Sequence, residues 1–81
     1  MSNVEALNAA IDKWIAEANR IGGDAGRGYL MVRHEHLIKQ EDEYIVSLER
    51  GRKVPEHCEG LTAIDFLDAG SRVLTAIDAL D

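Results

Sequence analysis

The apolar residues of the first stretch recur at steps of three and four: Val4, Leu7, Ile11, Trp14, Ala18 and Ile21, with Ile15 widening the stripe. At 3.6 residues per turn they fall on one face, so the segment satisfies its own pattern only as an amphipathic helix buried along that face. Ser2, followed three residues on by Glu5, fits a capping box at its start. Gly22 and Gly23 can supply the left-handed residue that closes a helix. The pattern predicts a helix over residues 3–21.

Residues 22–28 hold four glycines and no apolar side chain larger than that of Ala25, which reads as a flexible connector. Gly23, Gly26 and Gly28 do not form a phosphate loop, since there is no Gly-Lys-Ser/Thr ending, no G-x-G-x-x-G spacing and no preceding strand. Residues 29–50 decide the fold. On a helical wheel Leu30, His34, Leu37, Ile38, Glu41, Tyr44, Ile45 and Leu48 share an arc about 120° wide, while Arg33, His36, Lys39, Gln40, Asp42, Glu43 and Arg50 lie outside it. As a β-hairpin the same residues alternate less well, because Ile45 breaks the run of Tyr44, Val46 and Leu48. Against the helix stand the absence of a capping residue near Gly28 and several β-branched side chains. The helical reading is preferred, with Gly51 and Pro55 marking its end.

Residues 52–60 form a polar linker, and Thr62 is a suitable N-cap for a last helix, with Asp65 three residues on. Phe66, Gly70, Val73, Ile77 and Leu80 make its seam. Gly70 within that seam allows three readings: a tolerated glycine, a close approach by Trp14 or Leu37, or a break recapped by Ser71. Leu61-Thr-Ala-Ile-Asp-Phe-Leu-Asp68 is echoed by Leu74-Thr-Ala-Ile-Asp-Ala-Leu-Asp81. On a continuous helix the second copy faces about 220° from the first, so the echo is not a structural repeat. Its common consequence is charge, with Asp65, Asp68, Asp78 and Asp81 against the single Arg72.

An 81-residue chain is read as one domain, residues 1–81, of a size that buries only about 60 to 65% of its unfolded surface and gains from a further source of stability. Cys58 is the only cysteine, so an intrachain disulfide is impossible and a reducing, cytoplasmic setting is expected. Self-association into a homo-oligomer is the expected source. No stretch has the ~18 apolar residues of a membrane span, and no basic-then-apolar leader opens the chain. The formal charge of −6, from fifteen acids against nine bases, argues against direct binding to nucleic-acid phosphates and in favour of a basic protein surface as partner.

Chemistry-bearing residues are sparse. His34, His36, His57 and Cys58 supply enough ligand atoms for zinc or a small ligand. On a helix, however, His34 and His36 point about 200° apart, and adjacent His57 and Cys58 lack the usual two-residue spacing. Cys58 beside His57, Arg52 and Lys53 suggests a thiolate nucleophile, opposed by Glu56 and Glu59. It reads as an ordinary exposed or half-buried thiol, and no catalytic residue, cofactor or metal is assigned. Arg50, Arg52 and Lys53 complement a helix C-terminus better than they make a phosphate site. Under the hairpin alternative, the order helix, hairpin, helix resembles double-stranded RNA-binding domains and some small antitoxins. The basic residues an RNA-binding domain needs at the start of its last helix are here Glu59, Asp65 and Asp68, so that function is not carried over.

The expectation is an all-α domain of three helices, over 3–21, 29–50 and 62–80, with an α+β helix–hairpin–helix fold as the alternative. The expected function is that of a small acidic protein–protein interaction module, a regulator or inhibitor that occupies a basic surface and has no enzyme activity. Trp14, Glu41, Tyr44, Phe66, Asp68 and Asp78 are its candidate interface residues. Glu41 is singled out because a carboxylate inside an apolar arc needs a base such as Lys13 or Arg72, or an interface, to be tolerated. The alternatives are a ligand- or metal-binding module built on the histidines and Cys58, and a structural subunit of a larger assembly.

Overall fold

The computed structural model describes residues 1–80, so the expectation for Asp81 lies outside the described residues. Three helices run up, down and up: α1 (Asn3–Ile21), α2 (Gly23–Glu49) and α3 (Ala63–Ala79), with a single 3-10 turn at Glu56–Cys58 between the last two. No strand occurs among the described residues, so the hairpin alternative and its likeness to RNA-binding domains fall away. Among the described residues no helix is long and apolar enough to cross a membrane.

Both predicted N-caps form, the box expected at Ser2 and Glu5 in its serine half only. The Ser2 hydroxyl accepts from the Glu5 amide at 3.2 Å and closes the start of α1. At α3 the box is reciprocal: Thr62 Oγ1 accepts from the Asp65 amide, while the Thr62 amide donates to Asp65 Oδ2 at 2.7 Å. The expected connector over residues 22–28 is the main correction. Gly22 and Gly23 turn the chain, at φ +76° and +57°, and α2 starts at the second of them. At Gly26 the helix is in close contact with α1. A Cβ on Gly26 would lie 2.4 Å from the Ala18 carbonyl oxygen, and both residues are buried where the two helices cross. Asp24 in the first turn favours the positive helix end and pairs with Arg27 at 3.3 Å.

Ile11, Ala18, Leu30, Leu37, Phe66, Ala69 and Val73 are the centre of the core, and Leu80 folds back over the Gly26 end. Tyr44 and Phe66 meet with ring centroids 5.3 Å apart. The Tyr44 hydroxyl donates to the Leu61 carbonyl at 2.9 Å, which fixes the approach to α3. The stretch read as a polar linker is likewise held in place. The Asn3 amide donates to the Glu56 and Glu59 carbonyls at 2.8 and 2.7 Å, and Cys58 is fully buried beneath that turn.

Candidate functional site

The wide apolar arc of α2 divides in two. Leu30, Leu37 and Tyr44 turn into the core, whereas Met31, Ile38 and Ile45, one position later in each case, stay at the surface. Seven residues are nearly two helical turns, so each set forms a stripe along the axis. On α3, Leu67 and Leu74 repeat the same spacing, and both remain about half exposed or more, at 68% and 49%. Ile38 of the α2 stripe and Leu67 and Leu74 of the α3 stripe are the walls of one groove between α2 and α3, with His34, Glu41 and Gly70 at its floor. Ile64, 67% exposed, extends the α3 side.

Acids edge this groove. Glu35 and Asp42 stand three and four residues from Ile38, the spacing that places side chains next to one another on a helix, and Asp78 stands four beyond Leu74. All three are exposed. Two arginines of these helices are directed elsewhere. Arg72, the single base of α3, bonds Asn8 at 3.2 Å and pairs with Asp12 on α1. Arg33 lies over the rings of Trp14 and Tyr29, its guanidinium carbon 5.7 and 5.1 Å from their centroids, on the α1 side of α2. Lys39 is turned about 100° from Ile38.

The candidate residues therefore separate. Tyr44 and Phe66 are core side chains, and Trp14 is half-buried under Arg33. Asp68 belongs to the shallow cleft between α1 and α3, beside Arg72. Glu41 and Asp78 are at the α2–α3 groove. Among the described residues no base lies within ion-pair distance of Glu41, so neither Lys13 nor Arg72 answers it; its half-exposed position lets water solvate the carboxylate instead.

The histidine and cysteine set does not converge. His34 lines the groove, His36 and His57 are exposed, and among the described residues no three His, Cys, Asp or Glu side chains are placed to share an ion. Cys58 is buried where an exposed or half-buried thiol was expected. Burial first, and the nearby Glu43 charge second, push its pKa up, which keeps the sulfur protonated and makes it a poor nucleophile.

The residues that sequence reasoning missed are Leu67 and Leu74 at the groove and Arg33 on its aromatic seat. The signal for Leu67 and Leu74 was their shared seven-residue spacing, which the seam assigned to Phe66, Val73 and Ile77 overshadowed. Compared with known proteins, the chain matches no family model, no curated protein and no solved structure at a significant level. The meaning of the groove therefore rests on its own chemistry.

Proposed function

We propose that this protein is a small acidic interaction module, a regulator or inhibitor that docks on a basic surface of another protein. The observation that carries the reading is the α2–α3 face: apolar side chains left at the surface in two stripes, with acids beside them and Arg33 and Arg72 engaged elsewhere. Apolar centre and charged rim are the anatomy of a protein interface. The reading includes no catalysis, in keeping with a buried, protonated Cys58.

Self-association, expected from the chain's size, competes for the same face. A two-fold pairing through it would bring Glu35, Asp42 and Asp78 towards their own copies, which like-charge repulsion opposes. The reading thus places the partner outside this chain, and any homo-oligomer on another surface.

The test is affinity capture with wild type and with the triple variant Glu35→Lys, Asp42→Lys, Asp78→Lys, whose fold is checked by circular dichroism. A basic partner retained by wild type at low salt should be released near ~1 M salt, where the Debye length is about 3 Å, and should be lost by the triple variant. Retention indifferent to both salt and charge reversal would sink the reading, as would a melting temperature that rises with zinc.

A further inference from the structure

The α2–α3 groove selects the shape of its occupant as well as its charge. We infer that it receives one amphipathic, basic-flanked α-helix of the partner, lying along the groove with an apolar side chain seated over Gly70. This inference rests on the interaction reading and gives that partner a secondary structure.

Three independent features converge on a helix. First, Leu67 and Leu74 on one wall repeat every seven residues, and Ile38 on the other belongs to the exposed α2 stripe of Met31, Ile38 and Ile45, which has the same spacing. That is the spacing into which the knobs of a third helix fit, and from Met31 to Ile45 it runs for about 21 Å, or four turns. An extended segment would instead need a row of unpaired backbone groups, as at a sheet edge, and a helical wall has none to give.

Second, Gly70 has no internal justification. It lies in the middle of a continuous α3, with no break and no positive φ, and a Cβ there would meet a single atom within 4 Å, His34 Nε2 at 3.9 Å. Of the three readings of this glycine, a close approach by Trp14 or Leu37 does not occur. A mid-helix glycine costs up to about 1 kcal/mol relative to alanine, and nothing within this chain returns that cost. The absent side chain leaves a hollow in the groove floor that opens outward, where a docking helix can place a knob.

Third, the charges choose the partner. Glu35 and Asp42 border the α2 wall, Asp78 borders the α3 wall and Glu41 stands in the floor, so Lys and Arg on the flanks of the incoming helix find acids on both sides. A second copy of α2 or α3 would bring acids instead.

The probe is a fluorescein-labelled peptide of about 18 residues, five turns, with leucines at i, i+3, i+4 and i+7 and lysines on the flanks. Two controls accompany it: a scramble of equal composition that spreads the leucines round the wheel, and a version with glutamate for lysine. Fluorescence anisotropy should show saturable one-to-one binding of the Leu/Lys helix to the full chain, weakening with salt. The scramble and the glutamate peptide should bind at least about tenfold more weakly. Amide shift changes in the labelled protein should cluster at Ile38, Leu67, Gly70 and Leu74.

Gly70→Leu is the decisive variant, because it fills the hollow with a good helix former. It should keep or raise the melting temperature and yet weaken the Leu/Lys peptide about tenfold or more. Leu67→Asp, at an exposed position, should do the same without unfolding the protein. Unchanged peptide binding by a folded Gly70→Leu overturns the proposal. So does equal binding of the scramble, or light scattering that shows two copies covering the groove and excluding the peptide. If the charge-dependent capture of a basic partner persists in Gly70→Leu and Leu67→Asp, the interaction reading stands and the groove-bound helix alone has failed. If the capture also fails, both have failed.

Discussion

Two glycines in helical backbone have opposite meanings. At Gly26 a methyl group would collide with the Ala18 carbonyl, so Gly26→Ala forces α1 and α2 apart and should destabilise the fold by about 1 to 3 kcal/mol. At Gly70 the space is open, and Gly70→Ala should stabilise by up to about 1 kcal/mol, raising the melting temperature by several degrees. Thermal melts of the two variants beside wild type check the contrast, and equal effects would refute it. Cys58 gives a second test. Its thiol should resist an alkylating reagent in the native protein and react at once in denaturant. Because folding raises its pKa, the native state holds more protons than the unfolded chain once the pH passes about 8.5, so stability is full below that pH and falls as the pH rises further. Cys58→Ala should flatten that part of the alkaline decline in denaturant midpoint. None of these positions could be ranked from the sequence, since the difference between Gly26 and Gly70 lies in which atoms of another helix stand opposite.

Helices α1 and α3 are defined locally at their starts, and α2 by its tertiary contacts. The Thr62–Asp65 box forms as its spacing implies, and Thr62→Ala should cost about 1 kcal/mol in urea denaturation. Tyr44→Phe removes the bond to the Leu61 carbonyl and leaves that acceptor buried beside the core, so a loss of about 1 to 3 kcal/mol is expected by the same measurement. A loss near zero would show that water replaces the hydroxyl there. The caps were legible because a cap depends on residues three apart in the chain. The start of α2 was not. Its glycines carry low helix propensity, and the helix forms there because α1 packs on Gly26 and because two residues, Gly22 and Gly23, complete the reversal. The Tyr29–Arg33 pairing spans one turn inside the helix expected over 29–50, whereas the approach of Trp14 to the same guanidinium needs α1 beside it.

For the whole molecule, the three-helix order predicts a far-UV circular dichroism spectrum with helix well above half and no strand contribution. It also predicts a face with no intramolecular cover, whose use by a basic partner is tested by salt and charge reversal as set out above. What the sequence by itself determined was periodic and local: the number of helices, the caps, the end of α1, the acidic balance and the lack of a second cysteine. These follow from spacings along one chain, where 3.6 residues per turn and a short capping reach are sufficient information. What only the tertiary structure decided was the division of one apolar arc into a buried stripe and an exposed stripe. A helical wheel records direction from an axis, but it does not record how far neighbouring helices extend around that axis. With α1 and α3 in place, Leu37 is covered and Ile38, the next residue, borders a groove whose walls, acids and open floor at Gly70 exist only once α2 and α3 lie side by side.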